Sequence, residues 1–202
     1  MKVVGIIGGI GAGKSTVIEG IKEYTPTYVI SGDEVGHKLL KKGQAGYAPV
    51  IAAFGEGICD RQGEIVRKAL GELVFKDAKK LQCLNAITHP LIYQEVMRQI
   101  KACQYKGQYE LIVVEGALLL EIGLDRLMDV LIAVYADEET RIKRVMLREG
   151  FTREQVLNRF KAQKKWEEFQ EKAHFVINNG LSIESTCEQI KNIVMQLKES
   201  SV

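Results

Sequence analysis

Proline and cysteine are scarce in this chain of 202 residues, which has only 3 prolines and 4 cysteines. No Pro- or Ser-rich or low-complexity stretch occurs, and this argues against long linkers and disordered tails. The cysteines lie far apart without CxxC spacing, which excludes a disulfide scaffold and a zinc site. We expect them to be reduced and structural, with a reactive thiol as the alternative. They are Cys59, Cys83, Cys103 and Cys187.

An excess of charge of one sign is also missing, since 28 Lys and Arg against 26 Asp and Glu give a net charge of +2. This balance excludes a basic nucleic-acid coat and an acidic tail. No apolar run approaches the roughly 20 residues that cross a bilayer. Residues 3–13 resemble a short signal peptide but end in Gly-Lys-Ser-Thr instead of a cleavage site. We therefore expect a cytoplasmic protein with no nucleic-acid or membrane partner.

Five short runs are apolar throughout, which is typical of strands covered on both faces in a parallel sheet. Helical segments between them predict right-handed crossovers and a three-layer α/β fold. The length of the chain suits one domain with a sizeable core. The predicted strands are Val3–Ile7, Tyr28–Ile30, Leu111–Val114, Val130–Tyr135 and Phe175–Ile177.

Two helical excursions interrupt the strand-helix alternation. Residues 33 to 108 are predicted to be helical only, which is far more than the dozen or so residues a crossover needs. Within them, Arg67–Phe75 has one amphipathic face, and Leu91–Cys103 follows a predicted turn at His89–Pro90. The second excursion spans 138 to 173, where Thr152–Gln155 fits a capping box. We predict a core of residues 1–33, 108–137 and 174–202. A helical subdomain of about 34–107 and a lid of about 138–173 are inserted into it.

The stretch from Gly8 to Ser15 matches GxxxxGK[ST] at every fixed position, between a predicted strand and a predicted helix. Its glycines let backbone N–H groups turn around phosphate oxygens. In this pattern Lys14 reaches the β- and γ-phosphates, and the Ser15 hydroxyl ligates Mg²⁺. The alternative is a Gly-rich strand–helix turn that binds no phosphate and leaves Lys14 on the surface. The dinucleotide-binding motif GxGxxG, counted from Gly9 and Gly11, requires a glycine at position 14, where this chain has a lysine. The motif therefore favours a nucleoside triphosphate over a dinucleotide.

Two acidic residues follow the second and third predicted strands. Asp33 could accept the proton of an attacking hydroxyl, or could cap the helix predicted over Asp33–Lys42. Position alone does not separate these two roles. Glu115 could bind Mg²⁺ through water, or could merely end its strand, and its place at the end of a strand favours the site.

Basic residues cluster in the second excursion. Arg141, Arg144 and Arg148 fall on one face of a predicted helix, and Arg159 follows on the next. Residues 141–165 carry a local charge of +7, so the rest of the chain carries −5. One interpretation is a basic helix face that is exposed to solvent and has no role in catalysis. Beside a phosphate loop, we favour a role for at least one arginine in stabilising the transferred phosphoryl group.

Other classes of phosphate-loop protein lack support. A GTPase needs NKxD, which is absent, and the DxxG at Asp60–Gly63 lies in a predicted polar turn. An ABC-type ATPase needs LSGGQ, which is also absent. A kinase of a small molecule remains.

The whole chain resembles the bacterial dephospho-CoA kinase family of P-loop small-molecule kinases. The matching stretches are GGIGAGKST (8–16), SGDEVGHKLL (31–40), FGEGICDRQGEIVRKALGELVF (54–75), LNAITHPLI (84–92), ALLLEIGLDRLMDVLIAVYA (117–136), RVMLREG (144–150), RFKAQ (159–163) and FVINNG (175–180).

The resemblance implies a P-loop kinase fold with a five-stranded parallel sheet, an inserted helical substrate subdomain and a helical lid. It implies transfer of the γ-phosphoryl group of ATP, with Mg²⁺, to the 3′-hydroxyl of the dephospho-CoA ribose, which completes coenzyme A. Asp33 matches the family's base, and this moves the interpretation of Asp33 towards catalysis. The protein would be a monomer or a small homo-oligomer.

The residues that the resemblance assigns fall into three sets. The catalytic set comprises Asp33, Lys14, Arg144 and Arg148. The ATP-binding set comprises Gly8, Gly11, Ala12, Gly13, Lys14, Ser15 and Thr16, with Ser15 also on the metal. The acceptor set comprises Asp33, His37, Arg67, His89 and Pro90. On sequence alone, however, His89 is better explained as the cap of a helix that begins after Pro90.

Four departures from the family pattern affect the lid and its surroundings. Ala117 replaces a usual proline, and residues 164–166 (KKW) replace an apolar, proline-containing stretch. Phe169 and His174 stand where the family commonly has Lys and Asp. Two further functions stay open: a kinase of another acceptor such as a nucleoside monophosphate, and a non-catalytic nucleotide-binding module.

Overall fold

The computed structural model describes residues 1–116, 118–161 and 163–199. The departure noted at Ala117 therefore lies outside the described residues. The chain divides into two compact units, one made of residues 1–30 together with those from 100 onward, the other of residues 31–99. We call them the sheet unit and the helical unit.

The strands and α-helices of the described residues have these bounds. The strands are β1 Lys2–Ile7, β2 Thr27–Ser31, β3 Leu111–Glu115, β4 Val130–Tyr135 and β5 Phe175–Asn178. The helices are α1 Lys14–Tyr24, α2 Gly32–Leu39, α3 Tyr47–Phe54, α4 Arg67–Val74, α5 Ala78–Lys106, α6 Glu138–Glu149, α7 Arg153–Lys161, α8 Trp166–Lys172 and α9 Ile183–Glu199. Two 3₁₀ turns occur at Glu56–Ile58 and Leu124–Leu127.

The sheet has the strand order β2-β3-β1-β4-β5, with β1 between β3 and β4. Parallel pairing joins Val3 to Ile112 on one side of β1 and Val4 to Val130 on the other. All five predicted strands are present, and the predicted α/β fold with a five-stranded parallel sheet is confirmed. Ligands of such sheets bind where the strand order changes direction, at the carboxyl ends of the strands. The loop after β1 lies at this point.

The core of the sheet unit contains apolar side chains from both faces of the strands, as continuous apolar runs require. Val4, Ile6 and Ile132 are fully buried, and so is Val17 of α1. Helices α1 and α9 supply much of the cover, with Ile190 of α9 buried in the same cluster. This packing fixes the end of β1 and the start of α1, which together hold the loop between them.

Helices α6 and α7 form a smaller cluster within the sheet unit. Ile142 and Val145 of α6 are buried against Val156 of α7, and Ile10 packs on the same cluster. The predicted capping box is confirmed: Thr152 N–H donates to Gln155 Oε1 at 2.9 Å, and Gln155 N–H donates to Thr152 Oγ1 at 3.3 Å.

The helical unit has its own core, in which Val50, Ile58, Leu70 and Val74 are buried. The Asp60–Gly63 stretch is a polar turn, as predicted, in which Asp60 Oδ1 accepts hydrogen bonds from the N–H groups two and four residues later. The helical character of this unit follows from apolar residues repeating at helical spacing.

In the helical unit the predicted turn at His89–Pro90 is wrong, and neither His89 nor Asp33 is a helix cap. No turn occurs at His89–Pro90, because α5 is continuous and contains Pro90 in its interior. Ile92 and Val96 are buried, and such packing outweighs the hydrogen bond that a proline removes from a helix. His89 therefore does not cap a helix. Asp33 is not the N-cap of α2 either, since Ser31 is the cap and accepts from Glu34 N–H at 3.4 Å.

No helix among the described residues is long and apolar enough to span a membrane.

Candidate functional site

The loop between β1 and α1 curls on three glycines with positive φ. Gly8, Gly11 and Gly13 have φ of 147°, 79° and 92°, angles at which a Cβ is strained. Ala12 N–H closes the loop on Gly9 C=O at 3.2 Å. The loop thus forms a compact cradle of backbone groups.

Close packing adds a second reason for glycine at these positions. A Cβ on Gly8 would lie 2.6 Å from Val134 O, and one on Gly11 would lie 2.7 Å from Arg141 O. A Cβ on Gly13 would collide with the side-chain amide of Asn179. The loop is therefore enclosed by β4, α6 and the segment after β5.

A cavity of about 420 Å³ opens beside this loop, a volume suited to a small molecule. The loop and α1 contribute Gly11, Gly13, Ser15 and Thr16 to its wall. Helix α6 contributes Arg144 and Arg148, and the chain after β5 contributes Asn179, Leu181 and Ile183.

The start of α1 carries no side-chain cap, since Gly13 precedes it in the left-handed conformation. Its first N–H groups and the positive end of the helix dipole form an anion site. Lys14 folds back over the loop, and its Nζ donates to Gly8 O at 3.0 Å. Ser15 and Thr16 line the cavity from the same first turn.

The three arginines predicted on one face of α6 have different surroundings. Arg144 lines the cavity and donates to Asn179 O at 2.8 Å and to Ala12 O at 3.4 Å. Arg148 also lines the cavity and pairs with Glu149 at 2.7 Å. Both cations are placed to meet an anion held by the loop.

Arg141, in contrast, supports the loop from behind. Its Nε donates to Ile10 O at 2.9 Å, and its guanidinium lies 4.2 Å from the centre of the Phe160 ring. Burial lowers the pKa of Arg141. Gln163 Oε1 accepts from Ile10 N–H at 2.9 Å, so Arg141 and Gln163 together bind both backbone polar groups of Ile10. Arg159 lies 4.3 Å over the Phe151 ring.

Asn179 is a site residue that sequence reasoning missed. Its side chain donates to Ala12 O at 2.9 Å, and its backbone N–H donates to Tyr135 O at 2.7 Å. The available signal was a polar Asn-Asn-Gly directly after an apolar strand, at the sheet edge where ligands bind.

Glu115 ends β3, half-buried, with its backbone in register with Ile6 of β1. It thus lies at the same edge of the sheet as the loop. Among the described residues, no group of three or more His, Cys, Asp or Glu could hold a metal ion. Mg²⁺ keeps several waters and binds through one or two protein oxygens and substrate phosphates. The Ser15 hydroxyl in the cavity wall suits such an ion.

The residues predicted for the acceptor all lie in the helical unit. Asp33 and His37 are exposed and stand one turn apart on α2. Partial burial lowers the pKa of His37, and the positive charge of Arg67 lowers it further, while the carboxylate of Asp33 opposes the shift. These three side chains are therefore electrostatic neighbours. His89 and Pro90 lie within α5.

The departures at 169 and 174 have structural roles in this chain. Phe169 is 6% exposed and lines a small cavity with Gly9 and Trp166. His174 Nδ1 accepts from Leu131 N–H at 3.0 Å, while His174 N–H donates to Leu131 O at 2.8 Å. His174 thus joins the start of β5 to β4.

Comparison with known proteins gives concordant matches. A sequence profile of the family described as CoaE, dephospho-CoA kinase, matches residues 2–185. A dephospho-CoA kinase of Carboxydothermus hydrogenoformans is 39% identical over 198 residues, covering 98% of this chain and 95% of that protein.

Two solved structures share the fold over nearly the whole chain. A crystal structure of a Thermus thermophilus protein has a TM-score of 0.81 at 30% identity and covers 97% of both chains. A dephospho-CoA kinase of Campylobacter jejuni has a TM-score of 0.72 at 25% identity, covering 99% of this chain and 98% of that one.

Proposed function

The chain belongs to the dephospho-CoA kinase family, and we propose on that premise that it transfers the γ-phosphoryl group of ATP to the 3′-hydroxyl of the dephospho-CoA ribose. The cavity in the sheet unit supports the donor half of this reaction, since a phosphate loop and two arginines share its wall.

ATP binds with its phosphates on the loop between β1 and α1. The uncapped N–H groups of α1 hold phosphate oxygens, and Lys14 meets the β- and γ-phosphates. Arg144 and Arg148 stabilise the negative charge that spreads over the transferred phosphoryl group. The adenine packs against the apolar part of the wall, Leu181 and Ile183.

The Ser15 hydroxyl would hold Mg²⁺, and the ion would supply positive charge that neutralises the phosphate oxygens.

Asp33 acts as the general base. Its carboxylate accepts the proton of the 3′-hydroxyl as the oxygen attacks the γ-phosphorus. The bond from that phosphorus to the bridging oxygen breaks, and ADP leaves with the electron pair. His37, Arg67, His89 and Pro90 bind the acceptor, with Arg67 providing positive charge for its phosphate groups.

The observation that carries the proposal is that Ser15, Arg144 and Arg148 line one cavity, while Lys14 binds the loop beside it, in a chain of this family. The test is an ATP-dependent assay with dephospho-CoA, AMP and adenosine as acceptors. We expect turnover of dephospho-CoA at a kcat/KM at least about 10²-fold above that of the other two. Preferential turnover of AMP would establish a nucleoside monophosphate kinase instead. ATP-binding protein that turns over none of the three would be a binding module.

A further inference from the structure

Asn179 and Thr186 form a buried polar pair beside the phosphate loop. Asn179 is 4% exposed and Thr186 is fully buried. Thr186 Oγ1 lies 3.1 Å from Asn179 Oδ1 and 3.2 Å from Ser182 O. Buried polar side chains are costly unless hydrogen-bonded, and these two are held by each other and by backbone groups.

The partners fix the orientation of the Asn179 amide. Ala12 O can only accept, so the group that faces it at 2.9 Å must be the amide nitrogen. The amide oxygen then faces Thr186, whose hydroxyl can donate to it. Ala12 O thus selects the amide rotamer, and donation of the single Thr186 hydroxyl proton to Asn179 Oδ1, instead of to Ser182 O, stabilises it.

This hydrogen bond determines which way the Ala12–Gly13 peptide faces. The described residues contain no cis peptide bonds, so the N–H of Gly13 points opposite to the carbonyl of Ala12. Asn179 and Arg144 both hold that carbonyl on the side of β5 and α6. The Gly13 N–H therefore points away from Asn179 and Arg144.

A flipped peptide would reverse this arrangement. Gly13 has no Cβ to resist rotation of the peptide, and its φ of 92° is easily exchanged for others. A carbonyl turned into the cradle would face phosphate oxygens with like charge. The loop therefore needs an outside group that holds the Ala12 carbonyl.

We infer that Asn179 is a positioning residue for phosphate binding, stabilised by Thr186, and that it keeps the Ala12–Gly13 peptide in the anion-binding orientation. The inference rests on the proposed use of the loop for ATP. It is specific to the phosphate chain, because the two hydrogen bonds act on the Ala12 carbonyl and not on Leu181 and Ile183, where the proposal places the adenine.

The test compares Asn179→Asp with Asn178→Asp. Asn179→Asp places a carboxylate against the Ala12 carbonyl, which repels it. Asn178→Asp is the control, because it adds the same charge one residue earlier. Asn178 Oδ1 accepts from Gly180 N–H at 3.0 Å, a bond that an aspartate retains. The dissociation constants of ATP, ADP and adenosine are measured by titrating the fluorescence of Trp166. This is the chain's only tryptophan, and it lines a small cavity with Gly9 and Ala12.

We expect Asn179→Asp to raise the dissociation constants of ATP and ADP at least about tenfold over Asn178→Asp, with that of adenosine unchanged. The inference is overturned if ATP affinity matches that of Asn178→Asp. It is also overturned if adenosine binding falls in parallel with ATP binding.

Thr186→Val and Thr186→Ser provide a second test, which holds even if Asn179→Asp does not fold. Thr186→Val removes the hydroxyl that stabilises the amide rotamer, and we expect a loss of ATP affinity of about threefold or more. Thr186→Ser keeps the hydroxyl and should restore affinity to within about twofold of wild type. Equal affinities in the two variants would contradict the inference. Since these are binding measurements, failure of the wild type to phosphorylate dephospho-CoA would overturn the proposed function alone.

Discussion

The sheet unit and the helical unit carry their functional residues in different ways. In the sheet unit the phosphate loop is held by residues that are distant in sequence, as Arg141 and Asn179 bond to Ile10 and Ala12 across 131 and 167 positions. In the helical unit Asp33 and His37 stand on the exposed side of one short helix. A preorganised site for a polyanion thus accompanies a more exposed set of acid and base groups.

This difference suggests a division of labour. Backbone N–H groups and buried support suit the donor, whose phosphates need fixed dipoles. Exposed titratable side chains suit an acceptor hydroxyl that loses a proton. Substitutions in the two units should therefore change different kinetic quantities.

The largest effect is expected at Lys14. Lys14→Ala removes the cation over the loop and should lower kcat about 10³-fold and weaken ATP binding, because charge on the transferred group loses its partner. Lys22→Ala, on the same helix in an exposed pair with Glu19, is the control. Steady-state kinetics and fluorescence titration decide, and equal effects of the two would remove Lys14 from the donor site.

The next effect lies in the helical unit and should separate chemistry from ATP binding. Asp33→Asn keeps the shape but cannot accept the proton, so kcat should fall at least about 10²-fold while the dissociation constant of ATP is unchanged.

Glu34→Gln is the matched control for Asp33, since this neighbouring acid is exposed and lies 3.6 Å from Lys38. We expect it to stay near wild type. If Asp33→Asn also stayed near wild type, Asp33 would be only an acidic residue in the first turn of α2, where it favours the helix dipole.

A smaller effect is expected at the lid. Arg148→Ala should lower kcat about tenfold or more, because a cation in the cavity wall is lost. Arg153→Ala also removes a lid arginine, but this one pairs with Glu139 on the exposed surface. Its kcat should change less than about twofold. A similar loss in both variants would mean that the lid's overall charge matters more than its position.

The smallest effect concerns protonation in the helical unit. The pKa of His37 lies below its ordinary value of 6.5 through burial and the charge of Arg67. Arg67→Gln should therefore raise it, as measured by NMR titration of the three histidines. The stability contributed by neutral His37 is complete above pH 6.5 and is lost as pH falls towards its folded pKa. If Arg67→Gln left the pKa of His37 unchanged, the charge of Arg67 would not act on His37, which would contradict this prediction.

The parts predictable from sequence are those encoded by contiguous residues. The loop from Gly8 to Thr16 could be recognised because glycine spacing, Lys14 and Ser15 all lie within one strand-loop-helix unit. The five strands followed from uninterrupted apolar runs, which need cover on both faces.

The remaining features depend on tertiary packing. Helical periodicity placed Arg141 on one face with Arg144 and Arg148. However, Ile10 packs on the cluster formed by α6 and α7, and this brings the Ile10 carbonyl to the Arg141 side chain. Asn179 lies in FVINNG, a stretch that matches the family, but the stretch alone assigns it no role, because its side chain acts on a residue distant in sequence. Pro90 predicted a turn because proline is unfavourable inside a helix. The packing that keeps α5 helical through Pro90 cannot be seen in the local sequence.

The most direct test of the account is the position of the phosphate in the product. Purified protein with ATP, Mg²⁺ and dephospho-CoA should yield ADP and a product phosphorylated on the ribose 3′-oxygen, as mapped by phosphorus NMR and mass spectrometry. Asp33→Asn should yield little product while still binding ATP. A phosphate on any other position, or no transfer by ATP-binding protein, would contradict the proposed function.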